Sequence, residues 1–398
     1  FLGPPPAAWG WALIAIGATS GVLGVLFALA QHDLKRLLAY HSVENIGIIA
    51  LGLGVGLLGR SYDLPAMAYL GFAGALLHVV NHALFKGLLF LGAGAVAHAA
   101  HTREIDHLGG LLKRMPWTGA TFLVGSAAIS GLPPLNGFAS EFLVFSGALA
   151  GAMARGGAGA AAGAVAIGAL GLIGGLAAAC FAKAFGIVFL GEPRSRRAAD
   201  AIETGWALRG PAVALAAACL AVGLLAPLVI AGMDSVVAAA AGLPPHDSLG
   251  AAVAVRPLRW VVAGSGACLA LVGLLVLARR ALLARRPVAT AVTWDCGYAA
   301  PDARMQYTAA SFAQPLTSLF RFALRTRRRE APVRGLFPRD AALATVTPDP
   351  FLREVYEPVF AGIARLFVKR RQLQGGQTQR YVLYIVLTLV VLLIWELS

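Results

Sequence analysis

His78, His82 and Lys86 recur at intervals of four residues inside the apolar stretch AMAYLGFAGALLHVVNHALFKGLLFLGAGAVAHA, residues 66–99. On a helix this spacing places all three on one face, over roughly 12 Å of axis. The chemistry open to such a row is proton transfer. Imidazole gains and loses a proton near neutral pH, and desolvation brings amines and carboxylates toward the same working range. A fourth member, Glu141 in NGFASEFLVF, is the only carboxylate between Asp106 and Glu192. Ionisable groups at bilayer depth cost several kcal/mol unless they face protein or water, so they mark ion paths. Other readings stand beside this one. Two histidines four apart can begin a metal site, but no third ligand stands at a recognisable spacing, so no metal is expected. The row could serve only to hydrogen-bond helices together. Sodium as the moving ion would call for more oxygen ligands than Ser130 and Ser140 beside Glu141, so protons are favoured.

Two further polar positions lie in apolar stretches. His41 and Glu44, in LAYHSVENIG, stand three residues apart on one helical face. They read either as part of the path or as an end-of-helix acid paired with His41 or Lys35. Lys183, in CFAKAFGIVFL, reads either as a path residue or as a lysine snorkelling to the nearby interface.

The elements that must position these groups are membrane helices. The sequence is 58% hydrophobic and 13% charged, with a mean hydropathy of +0.74, which excludes an ordinary soluble domain. No alternating ten-residue segments of a membrane barrel appear. Spans are expected at 8–30, 37–59, 66–99, 117–152, 160–190, 209–232, 259–278 and 381–397. A continuous helix over 117–152 would be roughly 54 Å long against a hydrocarbon core of ~30 Å. Its centre reads GLPPLNG, where Pro133, Pro134 and Gly137 must interrupt the helix. Charge distribution decides between two crossings and one broken crossing. With one, Arg60, Arg155, Arg256 and Arg259 face one side, Lys86 and Lys183 lie within spans, and the rest of the 33 Lys and Arg share the other side. That basic side is then cytoplasmic. The net charge of +14 belongs to this topology, and no nucleic-acid partner is expected.

Residues 280–380 are a different material, rich in Arg and Pro. Within them an amphipathic helix is expected over 351–373, kinked or restarted at Pro358, with Leu352, Val355, Tyr356, Val359, Ile363, Leu366 and Phe367 as its apolar stripe. Arg325 to Arg329 reads as a solvated or lipid-headgroup charge run. Cys180, Cys219, Cys268 and Cys296 show no ligand spacing, and no cofactor motif is found, so no cofactor is expected. The first residue is Phe1, without a charged leader, so the sequence is expected to begin inside a longer protein.

Three stretches carry a resemblance: FALAQHDLKRLLAYHSVENIGIIALGLG, HVVNHALFKGLLFLGAGAV and GSAAISGLPPLNGFASEFLVFSGAL. In this order they resemble the second half of the antiporter-like subunits of complex I and membrane-bound hydrogenases, over about residues 1–230. The HSVENIG variant and the tail WDCGYAAPDARMQYTAASFAQPL are most similar to the hydrogenase-4 and formate hydrogenlyase branch. The resemblance implies an all-α polytopic membrane protein of about eight spans, one broken at mid-membrane. Residues 1–190 would form a second five-helix repeat whose first repeat is missing upstream, followed by two spans in 191–279, a basic cytoplasmic-side segment in 280–380, and an anchor in 381–398. It also implies a proton-translocating subunit without redox chemistry of its own, in a bacterial inner membrane. Glu141 matches the charged residue of the broken helix, and His78, His82 and Lys86 the row that feeds it. The expected partners are neighbouring membrane subunits, peripheral hydrogenase or dehydrogenase subunits that carry the electrons, and the lipid bilayer. The alternatives are an Mrp-type cation/proton antiporter subunit and a non-conducting membrane scaffold.

Overall fold

The computed structural model describes residues 5–154, 157–244, 248–287, 303–330, 343–370 and 376–397. The first compact unit, 1–346, opens with α1 Ala7–Leu29, α2 Leu34–Ser61 and α3 Pro65–Ala100. Asp33 caps α2 by accepting the Arg36 backbone N–H at 2.9 Å. Pro65 starts α3 where its missing N–H goes unneeded. Two short 3₁₀ turns, Ile105–His107 and Leu111–Lys113, lead to α4 Pro116–Ile129, α5 Asn136–Ala152, α6 Gly157–Phe189 and the single turn α7 Arg196–Ala199. Then come α8 Trp206–Leu224, α9 Ala226–Ala241, and α10 Ser248–Gly250, which runs through a π-type turn, Ala251–Val255, into α11 Arg256–Leu283. The unit ends with α12 Ala309–Leu319, α13 Arg321–Leu324 and the strands β1 Arg327–Glu330 and β2 Leu343–Val346. The second unit, 347–398, holds α14 Glu357–Arg370 and α15 Thr378–Leu397. Among the described residues, seven helices are long and apolar enough to cross a membrane: α1, α2, α3, α6, α8, Ala251–Leu283 and α15. The chain is a multi-pass membrane protein.

Helices α1, α2, α3, α5 and α6 form the packed centre, and small residues bring them close. A Cβ on Gly17 would stand 2.7 Å from the Gly47 carbonyl oxygen, and one on Gly47 2.5 Å from the Gly21 nitrogen. α1 and α2 therefore touch backbone to backbone. The expected broken span is α4 and α5, two half-helices that meet near the break and do not run side by side as a hairpin would. Pro133 and Pro134 lie in the intervening loop, and Gly131 there takes φ +62°. A Cβ on Gly137 would collide with the Ala128 carbonyl oxygen, so only glycine lets α5 start against the end of α4.

Two expectations are corrected. The span read at 209–232 is two helices, α8 and α9, divided at Leu225. Pro227 has no N–H to donate back along a continuous helix and sits instead in the first turn of α9. Arg325 to Arg329 keeps the exposed side chains expected of a solvated charge run, and its backbone takes on order: Arg327 to Glu330 pair antiparallel with Leu343 to Val346. An otherwise helical fold thus carries a two-stranded ribbon. The helix expected over 351–373 begins as a π-type turn, Leu352–Tyr356, and becomes α-helical at Glu357, so Pro358 falls at a change of helix type. Its stripe, Leu352 to Phe367, is exposed. Residues 371–373, Arg155 and Cys296 lie outside the described residues.

Candidate functional site

Polar side chains from α2, α3 and α5 meet at the centre of the first unit. On α2, Nδ1 of His41 and a carboxylate oxygen of Glu44 share a hydrogen bond between fully enclosed groups. The His41 ring lies on Phe181 of α6, with centroids 4.5 Å apart. Asn45 follows on the same face. Its Nδ2 donates to the His41 carbonyl at 2.7 Å and to Glu44 at 3.4 Å. Both of those partners are acceptors, so the amide oxygen must face His78, whose Nε2 stands 3.1 Å away. His78 Nε2 therefore carries the hydrogen, and Nδ1 accepts from the Ser140 hydroxyl at 2.9 Å. Ser140 in turn accepts from Asn81 Nδ2 at 2.9 Å. Asn81 also donates to the Asn136 carbonyl at 2.7 Å, in the first turn of α5. The result is an unbroken hydrogen-bonded chain from His41 to Asn136.

Glu141 is one residue beyond Ser140. A Cβ on Gly131 would come within 2.7 Å of its carboxylate, so the acid lies directly against the loop that breaks the helix. Glu141 is near enough to Glu44 for their charges to interact.

The row on α3 divides. His78 joins the chain through Asn45 and Ser140. Lys86 donates to the Leu38 carbonyl at 2.7 Å, one turn before His41 on α2, and interacts electrostatically with Glu44. His82, between them, is only partly buried. Its Nε2 has no hydrogen-bond partner among the described residues, and its ring stands edge-on to Phe85 at 5.7 Å. Lys183 does not snorkel. It is 1% exposed, and its Nζ donates to the carbonyls of Leu29 at 2.6 Å and Gln31 at 2.8 Å, where α1 leaves its last carbonyls unpaired.

Toward the loops between α1 and α2 and after α3 lies a second polar cluster. The two loops are stitched together by Leu34 N–H to the Arg103 carbonyl and Ile105 N–H to the His32 carbonyl, at 2.9 and 2.8 Å. That brings His32 Nδ1 to 3.2 Å from Asp106 Oδ2, with Nε2 2.8 Å from the Thr345 hydroxyl of β2. Asp106 also accepts the Ala309 N–H at 2.6 Å. Burial pushes its carboxyl up, but hydrogen bonds from His32 and the Ala309 N–H, with the nearby His32 and Arg194 charges, bring it below the ordinary carboxylate value.

Sequence reasoning missed Asn45, Asn81 and Asn136, and took Ser140 only as an oxygen near the break. The signal was there: each asparagine lies in an apolar stretch, Asn45 beside Glu44 and Asn81 three residues after His78. It also missed His32 and Asp106, whose partners are 74 and 313 residues away from His32 in the chain.

Comparison with known proteins follows the same lines. Residues 6–164 match the profile of the family described as NADH:quinone oxidoreductase/Mrp antiporter, TM. The chain is similar to hydrogenase-4 component B of Escherichia coli (strain K12), 39% identical over 98% of this chain and 59% of that protein. It is also similar to formate hydrogenlyase subunit 3 of the same organism, 36% identical over 83% of this chain and 53% of that one. The chain thus spans about half to three-fifths of the length of these relatives. Among solved structures, a chain of the membrane-bound sulfane sulfur reductase, an archaeal respiratory membrane complex, superposes with a TM-score of 0.64 at 21% identity, covering 98% of this chain and 57% of that one. That likeness shows the fold.

Proposed function

We propose that this chain, whose residues 6–164 match the NADH:quinone oxidoreductase/Mrp antiporter transmembrane family, is a proton-translocating membrane subunit of an oxidoreductase complex of the hydrogenase-4 or formate hydrogenlyase type. The observation that carries this reading is the enclosed hydrogen-bonded chain from His41 to Asn136, ending beside a carboxylate at a helix break. Its imidazole, hydroxyl and carboxylate members pass protons with little movement of heavy atoms, and the amides of Asn45 and Asn81 hold those members in register. A break exposes backbone dipoles where ions are bound and released. Glu141 exchanges protons with one side of the membrane. Lys86 and the His41–Glu44 pair store and move charge along the axis, with His78 as the hinge between α2 and α5 and His82 as a reserve station beside Lys86. Electrons pass in partner subunits, and the charge they displace biases this chain electrostatically. The complex resides in a bacterial inner membrane.

The second reading is an Mrp-type antiporter subunit, which the family description favours equally. The test uses the assembled complex in proteoliposomes, comparing wild type with Glu141→Gln and Lys86→Ala. Substrate-driven acidification is followed with a pH-sensitive dye while redox turnover is assayed in parallel. The proposal expects both variants to lose the gradient with assembly intact. Wild-type acidification in both variants would show the row to be a scaffold. A sodium gradient that drives acidification without any electron donor would select the antiporter.

A further inference from the structure

Toward the loop before α2 lies the buried Lys183, whose Nζ is enclosed by two carbonyls. We infer that His32 is the port through which protons pass between the aqueous phase and Lys183, with Asp106 holding the ring for that work; this rests on the proposed function. His32 directly follows Gln31, whose carbonyl accepts from Lys183 at 2.8 Å. The side chains of His32 and Asp106 are 24% and 32% exposed, against 1% for Lys183. The pair is thus the step at which the polar path meets water. Both ring nitrogens are held, Nδ1 by Asp106 and Nε2 by the Thr345 hydroxyl, which fixes the orientation of the imidazole.

The charges that face Asp106 come from several elements. Arg194 follows α6, Lys183 lies on α6, and His32 sits between α1 and α2. The Ala309 N–H from α12 completes the set. The neighbouring Asp33 is occupied by Arg103 at 3.1 Å. Asp106, held ionised, gives the imidazolium its counter-charge. In the inward sense, neutral His32 accepts a proton from hydronium and leaves water. The imidazolium then gives a proton through bridging water to the neutral Lys183 amine and returns to its neutral form. The reverse order runs the path outward. Only N–H and O–H bonds form and break.

A purely structural role is the competing explanation, because Thr345 and Ala309 tie the segment after α11 to this corner. Chemical rescue separates the two. The assembled complex is reconstituted in proteoliposomes as wild type, His32→Ala, His32→Gln and Asp106→Asn, and redox-driven acidification is measured with rising imidazole. Glutamine can keep a hydrogen bond but carries no proton. Losing a proton-transfer group should lower the acidification rate roughly tenfold or more in both His32 variants, with uncoupled redox turnover retained. Imidazole, a mobile carrier, should restore the rate in proportion to its concentration and leave wild type unchanged. Asp106→Asn, which removes the carboxylate that holds the ring, should slow acidification, and a wild-type rate in it overturns the positioning role of Asp106. A wild-type rate in His32→Gln, or a lost rate that imidazole does not restore, overturns the inference alone. A wild-type complex that makes no gradient overturns the proposed function and this inference with it.

Discussion

Asn45→Leu tests the central claim most directly. The substitution keeps the branched four-heavy-atom outline, slightly enlarged, while removing every polar atom at a position 1% exposed. It deletes the bonds to the His41 carbonyl, to Glu44 and to His78, at 2.7, 3.4 and 3.1 Å. The first two losses fall on acceptors that keep other roles. The third strands the Nε2 hydrogen of His78 in a dry site, where an unsatisfied donor costs about 1–3 kcal/mol. Interhelical hydrogen bonds within membranes average nearer 0.6 kcal/mol, so the stability loss should fall toward the lower part of that range. Transport should suffer more than folding. Without the amide, the His41–Glu44 pair and the His78–Ser140 pair are separate halves. If the same 1–3 kcal/mol falls on the transfer step, the rate drops about 5- to 150-fold. The assay is redox-driven acidification in proteoliposomes, with thermal unfolding of the detergent-solubilised complex as the stability control. A variant that melts like wild type and pumps like wild type refutes the claim that this amide joins the two halves.

Two further outcomes are expected. Gly137→Ala places a methyl group into the Ala128 carbonyl at the helix break; it should destabilise by about 1–3 kcal/mol, read as a lowered unfolding midpoint, and an unchanged midpoint would show that the break relaxes freely. Because the Asp106 carboxyl is held below its ordinary value, its contribution to stability is present at pH above the unfolded carboxylate range and is lost as pH falls through its folded value. Melting curves of wild type and Asp106→Asn should therefore differ near neutral pH and converge in acid, and parallel curves down to about pH 3 would contradict the assignment.

The spans and the break were legible because both are properties of single segments: hydropathy over about 20 residues, and two prolines where a helix has no means to continue. The titratable residues were legible for the same reason, as charges in apolar windows. Their connections were not. His78 meets Asn45 and Ser140 at separations of 33 and 62 residues, and only packing decides that His82, at equally good spacing, stands aside. Asparagine in a span carries no charge to draw attention, although its amide can bridge two stations that a single-function group cannot. The division at Leu225 was hidden because Pro227 leaves the apolar composition unbroken. The pairing of Arg327–Glu330 with Leu343–Val346 was hidden because four exposed residues give no alternating pattern.

The backbone seam between α1 and α2 has a consequence for energy conservation. Beside the station at Glu44, a Cβ on Gly24 would stand 2.6 Å from the Glu44 nitrogen, and the contact of Gly17 and Gly21 with Gly47 continues it along the same pair of helices. Such a seam has no width for a water molecule, and so no wire of water along which a proton could slip sideways out of the proposed path. In electrical terms it is insulation. A machine that builds a gradient is limited by its leaks as much as by its drive, and under the proposed function the smallest residue in the alphabet closes one wall of the conductor.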